Sequence, residues 1–244
     1  MHTSIIPQKM NIRIRVLHAI DYPEIAKEFQ RKHTAVLEEF GVKGVGSVSN
    51  KWWEYAGSYM FIAEDIETGE MGAGMRLDVI DPTHDIPMEE AIERFSPNFR
   101  TIIHKYDNVL AESCGLWVDK KFSERKLPKN LMRAAIAISS KLRIYHLVSL
   151  PHECTLPMTQ ALGYTIVDQD GLGDHGTYNY PPKPNTDNEC YKSTLVELLD
   201  TVNLPSMSEK ERDLTFWLRN HPTQSINEEI KGRVTKLSYD LRLM

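Results

Sequence analysis

The order of apolar and polar positions along the chain predicts a series of short strands and amphipathic helices. Apolar and charged residues alternate over 11–20, which is typical of a strand with one buried face. Two further strand-like runs, 58–64 and 71–80, flank a Glu-Thr-Gly-Glu turn and predict a β-hairpin. The remaining predicted strands are 109–118, 145–150, 164–168 and 191–199, and the predicted helices are 25–40, 87–95, 129–142 and 156–162.

Proline and glycine mark where several of these elements begin and end. Pro23 suits the first turn of one helix, which stops at Gly41, and Pro128 is placed at the start of another. The segment 178–188 is rich in Pro and Asn, so we predict a loop there. Because the polar tail over 206–244 carries helix-capping residues, the sequence predicts one domain over 1–200 and a helical appendage over 201–244.

Composition narrows the class of protein. The chain has 244 residues, of which 41% are hydrophobic and 26% charged, as in an ordinary globular domain. Its net charge of −5 disfavours a nucleic-acid-binding role for the whole chain. No apolar run is long enough to span a bilayer, and the first residues lack the apolar core of a signal peptide. We therefore expect a cytoplasmic protein without a membrane span.

Cysteine and histidine spacing gives no metal or disulfide signature. The three cysteines, Cys114, Cys154 and Cys190, are odd in number and widely spaced, which argues against a disulfide framework. No CxxC or HxxxH pair occurs, so we expect no metal site. Cys114 is a candidate nucleophile, but a cysteine in an apolar strand is more often a small core residue.

The segment 120–143 concentrates positive charge. It contains eight bases and a single acid, Glu124, which gives a local charge of +7 within an acidic chain. Five of the eight bases surround the loop before a helix N-terminus, where free backbone N–H groups already favour an anion. The segment fits a phosphate, a pyrophosphate or an acidic carrier protein, and it also fits a solvated helix face.

Glu112 is the candidate catalytic residue. It lies in the apolar run over 109–118, where burial would raise the pKa of its carboxyl group. A carboxylate with such a pKa suits a general base that takes a proton from an amine. The alternative is a strand glutamate that faces solvent or caps a neighbouring element.

Three segments resemble the core of the GNAT superfamily of acyltransferases. They are Glu-Ser-Cys-Gly-Leu-Trp-Val over 112–118, Leu131-Met132 and Ala-Leu-Gly-Tyr over 161–164. Members of this family transfer an acyl group from a thioester, usually acyl-CoA, to an amine. The resemblance implies an α/β (α+β) fold whose central, mixed but mostly antiparallel sheet is flanked by helices and splays beside 109–118.

The resemblance also implies where the donor binds. In that family, backbone amides of the bulged strand contact the pantetheine and the thioester carbonyl, and the next loop cradles the pyrophosphate. Gly115 is the expected bulge here. The implied cofactor-binding residues are Leu116, Trp117 and Val118 in the strand, and Ser123, Arg125, Lys126, Lys129 and Asn130 in the loop over 123–130.

A narrower resemblance points to the acyl-homoserine-lactone synthase and N-acyl amino acid synthase branch. It rests on Trp-Trp-Glu over 52–54, on Gly-Met-Arg-Leu-Asp over 74–78 and on Asp81-Pro82. Arg76 matches the arginine of that branch and would hold an acceptor carboxylate through a bidentate contact. Trp53 and its aromatic neighbours are candidates for the wall of a substrate pocket, although core packing explains them equally well.

Some positions depart from the family patterns. The loop glycines are replaced, since Ser123, Lys126 and Pro128 stand at the loop motif, and this favours a donor held by side-chain charge. Thr159 stands where many members of the family carry a tyrosine that acts as the general acid. Gly115 replaces the arginine of the Glu-x-Ser-Arg motif, so lactone synthesis is not supported.

The sequence therefore predicts an N-acyltransferase with no tightly bound cofactor. Acyl-CoA or an acyl-acyl-carrier-protein would be the cosubstrate, and the amine of a small acceptor, such as an amino acid, would receive the acyl group. The expected partners are that acceptor and an acidic carrier protein, and a homodimer is an open option. The alternative is a catalytically inactive GNAT-like module that binds a ligand or partner.

Overall fold

The computed structural model describes residues 10–42, 51–81, 84–93, 99–103, 109–167, 177–182, 190–230 and 233–243. Its strands are β1 (Met10–His18), β2 (Ser58–Asp65), β3 (Met71–Val79), β4 (Leu110–Val118), β5 (His146–Ser149), β6 (Thr165–Ile166), β7 (Thr177–Pro182), β8 (Cys190–Thr194), β9 (Val196–Leu199), β10 (Ser225–Ile230) and β11 (Arg233–Asp240). Its helices are α1 (Pro23–Glu39), α2 (Pro87–Glu93), α3 (Phe99–Ile103), α4 (Leu127–Ser139), α5 (Leu156–Ala161) and α6 (Glu209–Asn220).

One large sheet organises these elements, in the order β10-β11-β1-β2-β3-β4-β5-β9-β6. Two pairs, β1 with β11 and β4 with β5, are parallel, and the other neighbouring pairs are antiparallel. β7 and β8 form a separate two-stranded sheet. The predicted mixed, mostly antiparallel sheet is therefore confirmed.

Helices cover both faces of the sheet. α4 is buried along most of its length, and its apolar residues pack with the residues of β2, β3 and β4 that point to the same face. On the other face, Phe29 of α1 packs edge-on against Trp52 and Trp117, with ring centroids 5.4 and 5.6 Å apart. This arrangement places β4 in the middle of the core, between the two helical layers.

β4 and β5 separate part-way along their length. They pair only where residues 110–112 meet residues 146–148, after which β5 ends at Ser149 while β4 continues to Val118. The register between β3 and β4 shifts at the same level, since Arg76 is opposite Cys114 whereas Gly74 is opposite Trp117. Gly115 takes up the extra residue with a φ of 59°. The predicted bulge and the splay beside it are thus confirmed.

The tail corrects one expectation about secondary structure. Only α6 is helical in the described part of 201–244, whereas 225–230 and 233–240 form a hairpin that joins the large sheet through β1. The reason is an alternating pattern, because Thr235, Leu237 and Tyr239 are buried and the residues between them are more exposed. The prediction of a wholly helical appendage was therefore wrong for this hairpin.

Two smaller predictions also change. The predicted strand over 191–199 is divided at the buried Leu195 into β8 and β9, which belong to different sheets. Residues 177–182 of the predicted loop region form β7, while 183–188 lie outside the described residues. None of the helices in the described ranges has the length and apolarity of a membrane-spanning segment.

Candidate functional site

The point where β4 and β5 separate opens into a cavity of about 530 Å³. Because the two strands no longer pair there, the cavity has walls from both helical layers of the fold. α1 contributes Val36 and Leu37, and its C-cap residue Phe40 adjoins them, while the opposite layer contributes Pro128, Met132 and Thr159. The walls are mostly apolar, so the cavity suits an acyl chain better than a charged ligand.

Three predicted donor-binding residues line this cavity. Leu116, Trp117 and Val118 follow the Gly115 bulge, on the stretch of β4 that has left β5. The Trp117 indole is buried, and its Nε1 has no hydrogen-bond partner among the described residues. β4 thus lines the cavity with residues 116–118, and the Trp117 indole donor is without a partner among the described residues.

Arg76 lies directly behind the cavity wall. Only 1% of its surface is exposed, and its Nη2 is 3.0 Å from Asp78 Oδ2. Its Nε and Nη1 have no hydrogen-bond partner among the described residues, which is costly for a buried guanidinium. A methyl group placed on Gly115, which lines the cavity, would be 3.5 Å from Arg76 Nε. The unpaired Nε is therefore close to the cavity.

Cys114 completes the surroundings of Arg76. Its thiol donates to Asp78 Oδ2 at 3.4 Å and accepts a hydrogen bond from Arg76 Nη2 at 3.4 Å. Burial raises the pKa of the Cys114 thiol well above its ordinary value and outweighs the opposing effect of Arg76. The thiol therefore stays protonated, and the structure favours the interpretation of Cys114 as a core residue over that of a nucleophile.

Glu112 is buried on the same face of β4 as Cys114. Its Oε2 accepts a hydrogen bond from the backbone N–H of Met88, in the first turn of α2, at 2.8 Å. Burial raises the pKa of Glu112 to about 8, although the Met88 hydrogen bond and Arg76 act in the opposite direction. Glu112 does not line the cavity. Cys114, two residues further along β4 and on the same face, does line it.

His33 is a cavity residue that the sequence did not single out. It lies on α1 with only 3% of its surface exposed and contributes to the lining near Gly115. Burial, followed by the charge of Arg76, lowers the pKa of His33 to about 3. The imidazole is therefore neutral. Only its position four residues after Phe29 on an amphipathic helix could have indicated that it faces inward.

The predicted loop residues do not lie at the cavity. Lys126 Nζ is 2.8 Å from Glu228 Oε2, and Asn130 Nδ2 donates to Glu228 Oε1 at 3.3 Å. Lys129 Nζ is 2.6 Å from Glu211 Oε1. Arg125 is buried and donates to the Thr235 hydroxyl at 3.1 Å, while Ser123 is exposed.

The geometry of α4 explains this result. Pro128 and Met132 are four residues apart, so they share the helix face that borders the cavity. Lys129 and Arg133 share a neighbouring face, where both pair with Glu211 of α6. Much of the positive charge near α4 is thus offset by acids of the C-terminal segment rather than left open for a ligand.

Trp53 also lies outside the cavity lining. It packs edge-on against Trp52, with ring centroids 5.8 Å apart, at the side of the α1 cluster. Of the aromatic residues considered from the sequence, Trp117 is the one that reaches the cavity. Trp53 contributes to packing beside Arg76, whose guanidinium carbon is 4.5 Å from the centroid of the Trp52 ring.

The described part of the chain contains no group of three or more His, Cys, Asp or Glu side chains placed to hold a metal ion. The arrangement instead combines an apolar cavity, a buried arginine with free donors and a carboxyl group of raised pKa. Such a set of groups can bind an apolar chain and a small anion side by side and can accept a proton close to both.

Comparison with known proteins shows the fold. No family model and no curated protein matches the chain. The solved structure of FeeM, an N-acyl amino acid synthase from uncultured soil microbes, is similar with a TM-score of 0.59 and 14% identity over 83% of this chain and 97% of that one. The solved structure of MesI, a CoA-dependent acyl-homoserine lactone synthase, is similar with a TM-score of 0.54 and 12% identity over 83% of this chain and 95% of that one.

A third structure, the CoA-dependent acyl-homoserine lactone synthase BjaI with SAM and isopentyl-CoA, has a TM-score of 0.51 and 13% identity over 91% of this chain and 96% of that one. All three belong to the synthase branch that the sequence motifs resemble. The GNAT-like fold predicted from the sequence is therefore confirmed.

Proposed function

We propose that this protein is an N-acyltransferase that moves an acyl group from a thioester to the amine of an amino acid. The observation that carries the proposal is the buried Arg76, whose Nε and Nη1 have no partner among the described residues and whose Nε lies behind Gly115 at the wall of an apolar cavity. A carboxylate would satisfy both nitrogens, while the cavity would hold an acyl chain.

The donor thioester would occupy the cavity between β4 and β5. Backbone amides of Leu116, Trp117 and Val118 would hold the pantetheine and polarise the thioester carbonyl, as hydrogen-bond donors aimed at a developing oxyanion do. Acyl-CoA is our preferred donor, because Lys126 and Lys129 pair with acids of this same chain and offer less to an acidic carrier protein. MesI and BjaI, which are similar in structure, are CoA-dependent acyl-homoserine lactone synthases.

The acceptor would lie on the α1 side of the sheet. Its carboxylate would pair with Arg76, and its amine would face the thioester carbonyl near Cys114 and the Gly115 bulge. Asp78 already neutralises part of the guanidinium charge, so the site would discriminate a carboxylate mainly through hydrogen-bond geometry. An amine without a carboxylate would leave the two buried donors unpaired.

Glu112 would take the proton from the amine. Its pKa of about 8 is well matched to an α-amine at neutral pH. Glu112 is two residues from Cys114, which lines the cavity. The proton would therefore pass from the amine to Glu112 through a water molecule and not by direct contact. Removing this carboxyl group should therefore slow transfer but leave donor binding intact.

Mass spectrometry of reaction mixtures tests the proposal. Purified protein is incubated with acetyl-, octanoyl- and dodecanoyl-CoA, with the octanoyl thioester of acyl carrier protein in a parallel arm, and with a pool of the standard amino acids. We expect N-acyl amino acids from at least one CoA thioester. Glu112→Gln should lower the rate by about 100-fold or more while keeping the thermal shift caused by octanoyl-CoA.

Matched variants assign the acceptor site. Arg76→Lys keeps a positive charge but loses the fork of donors, so it should raise the KM for the amino acid and spare donor binding. Donor binding without any transfer would contradict the enzyme proposal and favour the alternative of an inactive binding module. Transfer only from the carrier-protein thioester would contradict our choice of donor.

A further inference from the structure

A pair of buried hydroxyl groups lies on the other side of β4 from the proposed base. Ser113 Oγ and Tyr164 Oη are 2.9 Å apart, and both residues are largely buried. Ser113 lines the cavity at the level where β4 leaves β5, whereas Tyr164 lies behind it, outside the lining. Neither residue has a role in the acyl transfer proposed above.

Hydrogen bonding separates Ser113 from most of the other hydroxyl groups that line the cavity, although not from Ser193, which has no partner among the described residues. Three of them donate their proton to a backbone carbonyl and so have none left for a ligand: Ser149, Thr155 and Thr159. Tyr164 is the more acidic partner in its pair and is the natural donor to Ser113 Oγ. The hydroxyl hydrogen of Ser113 is then free to point into the cavity.

Burial makes the tyrosine a dependable donor. Burial raises the pKa of Tyr164 above its ordinary value and outweighs the opposing effect of the hydrogen bond with Ser113, so the phenol keeps its proton at neutral pH. A hydroxyl that receives one hydrogen bond becomes a stronger donor in the next, because the two bonds polarise each other. Tyr164 would therefore orient Ser113 and strengthen the hydrogen bond that Ser113 donates.

The position of Ser113 relates it to the leaving group. Glu112 and Arg76 point to one face of the sheet, and Ser113, their neighbour in β4, points to the other. In the proposed reaction the amine approaches from the Arg76 face. The C–N bond forms first and gives a tetrahedral intermediate, and the C–S bond then breaks as the carbonyl re-forms. The departing sulfur thus becomes a thiolate in the cavity that Ser113 lines.

We infer that the Ser113 hydroxyl, oriented by Tyr164, donates a hydrogen bond to the departing thiolate sulfur. Ser113 would be a catalytic residue and Tyr164 a positioning residue. The amine proton leaves through Glu112, and the thiolate takes a proton from solvent after release, so no further reactant is needed. The inference rests on the proposed acyltransferase function and adds the residue that stabilises its leaving group.

Donors with different leaving groups test the inference. Rates of N-acyl amino acid formation are compared for octanoyl-CoA, which releases an alkyl thiolate, and for S-octanoyl 4-nitrothiophenol, whose aryl thiolate is stable without help. Ser113→Ala should lower kcat/KM with octanoyl-CoA by about 100-fold. The same variant should lose less than roughly fivefold with the aryl thioester.

Tyr164→Phe should show the same preference for the aryl donor with a smaller loss, and it should cause no further loss in a Ser113→Ala background, because it acts through Ser113. Thr159→Val is the matched control, since it removes a cavity hydroxyl that already donates to a backbone carbonyl. It should leave the ratio of the two donors unchanged.

Three outcomes would overturn the inference. Equal losses of kcat/KM with both donors in Ser113→Ala would indicate that Ser113 contacts the carbonyl oxygen or contributes only to packing. Additive losses in the double variant would separate Tyr164 from Ser113. An altered donor ratio in Thr159→Val would show that the effect is not specific to the pair. If the wild-type protein transfers no acyl group from either donor, the proposed function itself fails, which is a distinguishable result.

Discussion

The buried carboxyl group of Glu112 makes the stability of this protein depend on pH. Its pKa is about 8 in the folded protein against an ordinary value of 4.5, because burial disfavours the ionised form. A folded-state pKa that is raised stabilises the protein fully below the unfolded pKa, and this contribution disappears as the pH rises through the folded pKa. At about 1.4 kcal/mol per pKa unit, the shift corresponds to roughly 5 kcal/mol lost between about pH 4.5 and about pH 8.5.

Glu112→Gln isolates this contribution. The amide cannot ionise but can still accept the hydrogen bond from the Met88 N–H. The free energy of unfolding of the variant should therefore lack the pH-dependent contribution of Glu112. Urea unfolding, followed by tryptophan fluorescence at steps from about pH 5 to about pH 9, gives the difference between the two proteins. That difference should change by several kcal/mol in favour of the variant as the pH rises.

The comparison cancels the titration of every other group that the two proteins share. Glu67→Gln, in the exposed turn of the β2–β3 hairpin, is the control and should differ from the wild type by a nearly constant amount. A constant difference between Glu112→Gln and the wild type would refute the reasoning. It would mean that Glu112 ionises without penalty, and the argument for a base of raised pKa would then fail.

Four further changes test other parts of the structure. Glu211→Gln should lower the free energy of unfolding by about 3 kcal/mol because it leaves the buried Arg133 without its charge partner. Glu228→Gln, whose lysine partner is exposed, should cost less than about 1 kcal/mol, and equal losses in urea would contradict this difference. Gly115→Ala should cost about 1–2 kcal/mol because φ is 59° there, and a neutral result in the same assay would argue against the bulge. Met132→Trp should shift the N-acyl products toward shorter chains by filling the cavity, and an unchanged product profile would place the chain elsewhere.

Local patterns were sufficient to predict much of the fold. The β2–β3 hairpin, the Gly115 bulge and α4 follow from turn residues, from a glycine inside an apolar run and from helical spacing after proline. The C-terminal hairpin was missed because its polar composition outweighed the alternation of Thr235, Leu237 and Tyr239. That alternation becomes decisive only when β1 is known to offer a free edge.

The site was harder to predict because it depends on register and on long-range pairing. Arg76 was identified by resemblance, but its position across from Cys114, with Asp78 across from Glu112, is set by the bulged register of β3 and β4. The basic residues around α4 were expected to face a ligand. They pair instead with acids that lie about eighty to one hundred residues later in the chain, and a single sequence does not reveal such pairings.

The most direct test of the central claim is whether the purified protein forms an N-acyl product from octanoyl-CoA with an amino acid but not with the corresponding decarboxylated amine. Product is measured by mass spectrometry with both acceptors at equal concentration. We expect acylation of the amino acid and at least a hundredfold slower reaction of the amine, because the amine leaves two buried Arg76 donors unpaired, a loss of roughly 3 kcal/mol. Equal rates with both acceptors, or no product with either, would contradict it.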